Sequence, residues 1–391
     1  MASTMTRRVY MDNHATTRVD PRVVEAMVPV FTEQFGNSGS RNHAFGWEAE
    51  ALVEKAREQV AKVIGAKAKE IIFTSGATES DNFALKGTAM ALRDKGNHII
   101  TSVLEHKAIL DSCRVLEEQG FRTTYLPVDK DGLLDLDELK KAITPETILV
   151  SVMHANNEIG VIQELGAIGR ICRDHDVMFH SDTAQSAAKI DINVDELGLD
   201  LASFSAHKFY GPKGVGAVYV RSGNRGSKVK TKLEPIINGG GQENGMRSGT
   251  LNVPSIVGLG KACAIATSEK RDEGPRMLGL RERLRMGIIE KLEDVHLNGH
   301  LYRRLPGNLN LSFGGVAGYS LLSALENEIA VSSGSACSSG SATGSYVLQA
   351  IGCDDILIDS SLRFGIGRFN TEDEIDYVVT RITEVVTELR G

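Results

Sequence analysis

Short apolar segments that alternate with helical patterns constrain this chain more than any other feature of its sequence. Each segment is four to six residues long, is rich in Ile, Val, Leu or Phe, and is bounded by glycine or polar residues, as buried β-strands are. The six segments are Ile71–Thr74, His98–Ser102, Ile148–Met153, Val177–His180, Leu201–Ser205 and Gly216–Val220. Because strands that alternate with helices join into parallel sheets, the sequence predicts an α/β fold with a mostly parallel sheet.

Helical patterns precede these segments and end the chain. Apolar residues recur with a 3.6-residue period over Ala49–Ile64, and Gly65 ends that pattern. Near the end of the chain, Thr371 and Glu374 have the spacing of a capping box, and the apolar face that follows spans Ile375–Leu389. The sequence therefore predicts one helix at each of these places.

The character of the sequence changes after residue 220, which predicts a second domain. Arg221–Lys232 is polar and basic, as solvated loops are. The pattern is then mainly helical over 254–292, and the remainder mixes short strands with helices. We predict a large α/β domain at residues 18–258 and a smaller α+β domain formed by residues 1–17 and 259–391.

Composition and charge exclude several classes of protein. The net charge of -7 argues against nucleic acid as the main partner. The five cysteines are scattered, odd in number and without a C-x-x-C pair, a pattern that fits a reducing compartment and not a disulfide scaffold. Apolar runs fall far short of the ~18 residues of a membrane span, and Met1–Arg8 leads into no apolar stretch of the kind that marks a secretory signal. We therefore expect a cytoplasmic protein that binds neither membranes nor nucleic acid; a matrix protein whose transit peptide has been removed is the alternative.

A turn between a predicted strand and a predicted helix, Thr74–Asn82, has the residues of a phosphate site. Gly76 permits a tight turn, and Thr78 adds a hydroxyl near the unpaired N–H groups at a helix start, where anions bind well. The G-x-x-x-x-G-K pattern of a P-loop is missing. An ordinary capped turn that binds no ligand is the alternative.

An acid and a lysine follow two of the predicted strands. Asp182 could hold a cationic ring nitrogen, because sites form at the carboxyl ends of parallel strands; capping of the next helix is the alternative. A metal is not indicated, because no third ligand at a recognisable spacing accompanies His180 and Asp182. Lys208 follows the next strand, where partial burial would lower its pKa and make it nucleophilic toward an aldehyde. A lysine that extends to solvent at the edge of a sheet is the alternative.

Cys337 differs from the other cysteines in its neighbours. Residues 332–342 include no bulky side chain, so the sequence predicts a mobile loop at about 330–345 with a thiol available for attack. An incidental cysteine in a linker is the alternative. The other cysteines lie in helical or mixed apolar surroundings and are predicted to be inert: Cys113, Cys172, Cys263 and Cys353. A phosphate turn, an acid for a ring nitrogen and a lysine for an aldehyde together match the three functional groups of pyridoxal phosphate.

In their order along the chain, these motifs resemble the cysteine desulfurases of the NifS/IscS-like family, which are fold-type-I pyridoxal-phosphate enzymes of the class-V aminotransferase family. The resembling segments are Asp12–Thr17, Phe73–Ser80, Glu105–Ala108, Met153–Gly160, Asp182–Gln185, Ser203–Gly214, Gly245–Thr250, Ser332–Ser338 and Arg363–Arg368. The resemblance implies an aspartate-aminotransferase-like fold whose large domain has a mostly parallel seven-stranded sheet. The segment Phe35–His43 departs from the family's usual pattern near the substrate entrance.

The resemblance also implies catalytic roles. Lys208 would bind the cofactor covalently and later move protons at the substrate carbon. Asp182 would keep the pyridine nitrogen protonated, and Gln185 would hydrogen-bond the phenolic oxygen of the ring. His106 would stack on the ring and act as acid and base. Cys337 would receive the sulfur atom as a persulfide.

The remaining implied roles concern binding. The phosphate would be bound by Ala77, Thr78, Ser205 and His207. Thr250 would reach the phosphate of the partner subunit, which implies a homodimer. Asn157 and Arg363 would hold the substrate carboxylate, and Asn157 would also contact the cofactor.

The implied activity is the removal of sulfur from L-cysteine, which gives L-alanine and a persulfide on Cys337. An iron–sulfur scaffold protein or another acceptor would then take the sulfur. Longer relatives carry a C-terminal extension associated with the scaffold, whereas this sequence ends at Gly391, right after the last predicted helix. Three alternatives share the fold: a selenocysteine lyase, an aminotransferase, and a non-catalytic sulfur carrier or scaffold.

Overall fold

The computed structural model describes residues 7–223, 231–333 and 344–391. Its strands are β1 Val9–Tyr10, β2 Ile71–Thr74, β3 His98–Ser102, β4 Arg122–Leu126, β5 Thr147–Ser151, β6 Met178–Asp182, β7 Leu201–Ser205, β8 Gly216–Val220, β9 Val295–Leu297, β10 Asn308–Phe313, β11 Ile329–Ala330, β12 Ser332–Ser333 and β13 Ser361–Gly365. Its helices are α1 Pro21–Thr32, α2 Ala44–Val63, α3 Ala77–Ala91, α4 Lys107–Glu118, α5 Leu136–Ala142, α6 Leu165–Asp174, α7 Val253–Ile289, α8 Gly318–Leu325, α9 Tyr346–Ala350, α10 Asp355–Asp359 and α11 Glu372–Arg390.

A seven-stranded sheet with the order β2-β8-β7-β6-β5-β3-β4 forms the centre of the molecule. Strand β8 runs antiparallel to both of its neighbours, and the other pairings are parallel. The prediction of an α/β fold with a mostly parallel seven-stranded sheet is confirmed. Because β8 is antiparallel to both β2 and β7, the carboxyl ends of β2, β3, β5, β6 and β7 all lie at the same edge of the sheet.

The strand predictions were accurate except at the edge of this sheet. Four predicted strands have the observed bounds, and the predictions at 148–153 and 177–180 differ from β5 and β6 by one or two residues at each end. The sequence analysis missed β4, whose residues are mostly polar or only partly buried. An edge strand with one well-buried residue, Leu126, has too little apolar character to be recognised from its sequence.

Helices cover both faces of the seven-stranded sheet. On one face, apolar residues of α2, α6 and α7, such as Val53, Ile168 and Leu259, share a core with Phe73 of β2. On the other face, α3 and α4 pack on Ile99 of β3. Burial on both faces explains why these strands are apolar throughout instead of alternating.

A second core forms around the four-stranded sheet β12-β13-β10-β9 and helices α7, α8 and α11. Helix α11 begins with the predicted capping box, in which the Thr371 side chain accepts from the N–H of Glu374. The N-terminal strand β1 pairs with β11 beside this core. The predicted boundary between residues 258 and 259 lies within α7, which contributes Leu259 to the first core and Leu284 to the second. The division into two domains stays a prediction.

The predicted basic loop Arg221–Lys232 can be compared with the structure only in part. Most of it, residues 224–230, lies outside the described residues. Across the ranges that the structure describes, each helix is too short or too polar to cross a bilayer.

Candidate active site

A cavity of about 670 Å³ lies at the carboxyl edge of the seven-stranded sheet. It brings together most of the residues that sequence analysis selected: Ala77, Thr78, His106, Asn157, Asp182, Gln185, Ser205, His207, Lys208 and Arg363. Ligands bind at this edge in open α/β sheets because the loops that follow several strands converge there. Thr250 is exposed and does not line this cavity, and Cys337 lies outside the described residues. The divergent Phe35–His43 segment does not line it either.

Lys208 follows β7 at the end of a single 3-10 turn, which directs its side chain into the cavity. Its Nζ donates to the backbone oxygens of His14 and Ala15, both at 2.8 Å. Burial lowers the pKa of Lys208 to about 8, with Arg363 adding to the shift while Asp182 and Asp12 oppose it. A substantial fraction of this amine is therefore neutral near physiological pH, as a nucleophile toward an aldehyde must be.

Asp182 is the last residue of β6 and lies near two other buried carboxyls, Asp81 and Glu105. Its Oδ1 accepts from the N–H of Ala184 at 2.8 Å, but residues 184–189 form turns and not a helix, so the alternative of a helix cap is wrong. Burial raises the pKa of Asp182, and it raises the pKa values of Asp81 and Glu105 well above their usual range, with Asp182 adding to both shifts. Buried carboxyls are stabilised by a positive group, which a protonated ring nitrogen supplies.

His106 caps the start of α4 through its ring. Its Nδ1 accepts from the N–H of Ala108 at 3.1 Å, so in the neutral ring the proton is on Nε2. Burial lowers the pKa of His106, and Lys208 adds to the shift while Asp182 opposes it. The cap fixes the ring in the cavity wall and leaves Nε2 as its proton donor.

The turn between β2 and α3 has the backbone of an anion site. Gly76 has φ 152° and ψ -179°, a conformation that only glycine adopts readily. A Cβ atom at Gly76 would lie 3.6 Å from the Ser205 hydroxyl, so the start of α3 lies close to the end of β7. The first N–H groups of a helix have no partner within the helix, and here Ala77 and Thr78 present theirs at the cavity wall.

His207 completes this side of the cavity as a neutral ring. Its Nδ1 lies 3.1 Å from Thr16 Oγ1. Burial lowers the pKa of His207 to about 4, and the neighbouring lysines Lys208 and Lys213 add to the shift. It can therefore bind a phosphate through a hydrogen bond and not through a charge.

Arg363 approaches the cavity from β13 of the other sheet. Its Nη2 donates to Asp12 Oδ1 and to Ser332 Oγ, both at 2.8 Å, and its Nη1 donates to the backbone oxygen of Asn157 at 3.0 Å. Within the described ranges, two buried atoms of these cavity residues have no hydrogen-bond partner: Nε of Arg363 and Oδ1 of Asn157. Unsatisfied buried polar atoms cost free energy, so both indicate a ligand in this cavity.

The residues present fit pyridoxal phosphate. The start of α3 with Ser205 and His207 suits the phosphate, buried Asp182 suits a protonated ring nitrogen, and Lys208 suits the aldehyde. The unpartnered oxygen of Asn157 offers an acceptor for a further donor of the cofactor or substrate.

Sequence analysis assigned no role to several residues that matter here. The carbonyls of His14 and Ala15 leave no signal in residue type, because every residue has a backbone oxygen. Asp12 and Glu158 each lie within a segment that resembles the family. An acidic residue within such a segment was the signal that could have identified them as site residues. Glu158 lines the cavity and accepts from Ser345 Oγ at 2.5 Å.

Comparisons with known proteins agree with this geometry. The family model described as aminotransferase class-V matches residues 9–378. The chain is 55% identical over 382 residues to the cysteine desulfurase IscS of Anaeromyxobacter dehalogenans (strain 2CP-C), which covers 98% of this chain and 93% of that relative. It is 56% identical over 382 residues to the cysteine desulfurase IscS of Rickettsia bellii (strain OSU 85-389), with 98% and 92% covered. Among solved structures, a NifS-like protein superposes with a TM-score of 0.90 at 41% identity, over 98% of this chain and 100% of the other.

Proposed function

We propose a function from the premise that this chain belongs to the aminotransferase class-V family. The chain is a cysteine desulfurase that depends on pyridoxal phosphate, and we propose that Lys208, Asp182 and Cys337 are its central residues. The observation that carries the assignment is Lys208: a lysine with a lowered pKa in a cavity that also holds a phosphate turn and a buried acid. A cysteine desulfurase accounts for Lys208, the phosphate turn, the buried acid and Cys337 together better than any of the alternative functions does.

When bound, pyridoxal phosphate supplies an electron sink that weakens bonds at the carbon atoms of an attached amino acid. Lys208 would hold the cofactor through its neutral amine and would move protons at the substrate carbon. Asp182 would keep the ring nitrogen protonated, and Gln185 would donate to the phenolic oxygen. His106 would lie beside the ring and would exchange a proton at Nε2.

Arg363 and Asn157 bind the carboxylate of L-cysteine. The guanidinium is already oriented by Asp12 and by the backbone oxygen of Asn157, so little conformational freedom remains to be lost on binding. The Nε–H of Arg363, which has no partner among the described residues, is the donor available to that carboxylate.

Cys337 takes the sulfur atom from the substrate. Its thiolate attacks the substrate sulfur, a sulfur–sulfur bond forms, and the carbon–sulfur bond of the substrate breaks; protonation at that carbon then gives L-alanine. The products are L-alanine and a persulfide on Cys337, and no external oxidant or reductant is needed. Chain connectivity supports this role, because Cys337 is five residues after Ser332, which lines the cavity.

Three further assignments extend the proposal. We propose a homodimer in which Thr250 binds the phosphate of the partner subunit, supported by the exposure of Thr250 outside its own cavity. We propose that the persulfide passes to an iron–sulfur scaffold protein or to another sulfur acceptor. A cytoplasmic location is supported by cysteines that suit a reducing compartment.

The experiment combines two measurements on the purified enzyme. Borohydride reduction followed by peptide mapping should place the cofactor on Lys208, and a label on Lys213 or on no lysine would contradict the assignment. Cys337→Ser should abolish sulfide release from L-cysteine while the cofactor absorbance is kept. Cys353→Ser is the control, because this partly buried cysteine lies outside the cavity, and its turnover should be unchanged.

Activity toward selenocysteine separates the nearest alternative. A selenocysteine lyase should keep its activity toward selenocysteine in the Cys337→Ser variant and show little activity toward L-cysteine in the original protein. Unchanged desulfuration by Cys337→Ser would show that Cys337 is not the sulfur acceptor.

A further inference from the structure

Lys189 is a partly buried lysine to which the proposed reaction assigns no role. It follows Gln185 by four residues, and its Nζ donates to Gln185 Oε1 at 3.1 Å. Burial lowers the pKa of Lys189 to about 7, with Lys208 and Arg363 adding to the shift. Removing an ammonium from water is costly, so a lysine in this position calls for an explanation.

Lys189 approaches Gln185 from outside the active-site cavity. It lines a second cavity, of about 20 Å³, whereas Gln185 lines the active site. His14 lines both. Lys189 therefore contacts the active-site cavity through Gln185 and does not line it.

The side-chain amide of Gln185 is held at both of its ends. Its Oε1 accepts from Lys189, and its Nε2 donates to the backbone oxygen of His14 at 2.8 Å. Rotating the amide by 180° would set Oε1 against that backbone oxygen and would set Nε2 against the ammonium of Lys189. Both contacts therefore select the same orientation.

The imidazole of His14 does not secure this orientation by itself. Its Nδ1 lies 3.1 Å from Gln185 Oε1, and its Nε2 lies 3.3 Å from the backbone oxygen of Gly307. Burial lowers the pKa of His14 well below its usual range, so the ring carries one proton and can donate to only one of these oxygens. With the proton on Nε2, the ring would favour a rotated amide, and Lys189 opposes that rotation.

We propose that Lys189 is a positioning residue that fixes the amide of Gln185, so that the donor Nε2 and not the acceptor Oε1 faces the phenolic oxygen of pyridoxal phosphate. The inference rests on the proposed role of Gln185. One hydrogen of Nε2 is used at His14, and the second has no acceptor among the residues that the structure describes. A donor at the phenolic oxygen stabilises its anionic form, whereas a rotated Oε1 would destabilise it.

Other charges near Lys189 determine which control is informative. The charged groups that act on Lys189 are Lys208, Arg363 and Glu273. Lys270 and Arg368 line the same small cavity, where Lys270 pairs with Asp191 and Arg368 pairs with Glu273. Lys270→Met removes a cation from this cavity without touching Gln185, so it is the matched control for charge alone.

The test is a pH titration of the absorbance of the cofactor bound to Lys208 in the holoenzyme. Loss of the donor to the phenolic oxygen should raise the midpoint in Lys189→Met by about half to one pH unit. Lys189→Gln keeps an N–H donor and should give a smaller rise, and Lys270→Met should give none. Gln185→Leu should raise the midpoint by itself, and Lys189→Met should add nothing in that background.

Each outcome separates this inference from the function on which it rests. If Gln185→Leu leaves the midpoint unchanged, the proposed role of Gln185 is wrong. If Gln185→Leu shifts the midpoint but Lys189→Met does not, the positioning role is wrong and the role of Gln185 stands. A shift that is equal in Lys189→Met and Lys189→Gln, and that persists with Gln185→Leu, would assign the effect to charge and overturn the proposal. Should Lys189→Met fail to fold, Lys189→Gln carries the same double-mutant comparison: additive shifts with Gln185→Leu overturn the proposal.

Discussion

The two walls of the active-site cavity come from different sheets and differ in how their charges are balanced. The strand wall, Asp182, Ser205 and Lys208, follows the seven-stranded sheet. The arginine wall consists of Ser332 and Arg363 of the four-stranded sheet, together with Asp12, which supports Arg363 from behind the cavity lining. In the strand wall, burial lowers the pKa of Lys208 and raises that of Asp182, so both groups are shifted toward their neutral forms. In the arginine wall, Arg363 is paired directly with Asp12 at 2.8 Å.

This difference indicates that the two walls have different roles in the reaction. Groups whose pKa values are shifted toward the working pH can gain and lose protons during a reaction, so the strand wall suits covalent and proton-transfer steps. A guanidinium keeps its charge at every relevant pH, so the arginine wall suits recognition of an anionic substrate. The comparison predicts that substitutions in the strand wall reduce kcat, whereas those in the arginine wall raise KM.

The largest effect is expected for Lys208→Ala. Loss of the amine that binds the cofactor and moves protons should reduce L-alanine formation by about 10³-fold or more. Lys213, which lines the same cavity, provides the matched control, and Lys213→Ala should lose far less activity. Equal losses in the two variants would show that the strand wall is not organised around Lys208.

Arg363→Met should have the next largest effect, and mainly on KM. Losing charge-assisted hydrogen bonds to the substrate carboxylate should raise the KM for L-cysteine by about 10- to 100-fold. Arg363→Lys restores the charge but not the planar fork, so it should recover only part of the affinity. A fall in kcat with KM unchanged would remove the distinction between the two walls.

The rate at which cofactor-free protein takes up pyridoxal phosphate should report the pKa of Lys208. Only the neutral amine reacts, and the pKa is lowered to about 8, so the rate should rise by about tenfold per pH unit well below pH 8 and level off above it. An ordinary lysine would level off more than two pH units higher. Stopped-flow absorbance measures this rate.

The same measurement tests whether one wall acts on the other. Arg363 is the charged group that contributes most to lowering the pKa of Lys208. The midpoint for cofactor uptake should therefore move to higher pH in Arg363→Met. An unchanged midpoint would mean that the two walls are electrostatically independent.

A smaller effect than that of Arg363→Met is expected for Asp12→Asn. The amide keeps the size of the side chain but loses the charge that orients Arg363, so the KM for L-cysteine should rise by roughly 3- to 10-fold with little change in kcat. Ser332→Ala removes a neutral acceptor from the same guanidinium and should have a smaller effect. A larger effect for Ser332→Ala than for Asp12→Asn would show that the ion pair does not orient Arg363.

Local patterns carried most of what could be predicted about the fold. Apolar runs bounded by polar residues located β2, β3, β7 and β8 to the residue, because burial on both faces of a sheet leaves a continuous signal. Strand β4 was missed because an edge strand needs little apolar character. Lys208 and Asp182 were found as site candidates for the same local reason: each comes at or just after the end of an apolar strand.

The sequence by itself therefore determined the strands, the phosphate turn and the residue types that match a pyridoxal-phosphate enzyme. Only the tertiary structure decided which atoms those residues contact. The Nζ of Lys208 is held by His14, 194 residues away, and Arg363 is held by Asp12, 351 residues away. The physical reason is that spacing along a chain specifies periodicity and turns, whereas the pKa and orientation of a side chain depend on whatever the packed fold places beside it. Lys189 is a local example: it lies four residues from Gln185, yet the contact between them and the burial that lowers its pKa come from the packed fold.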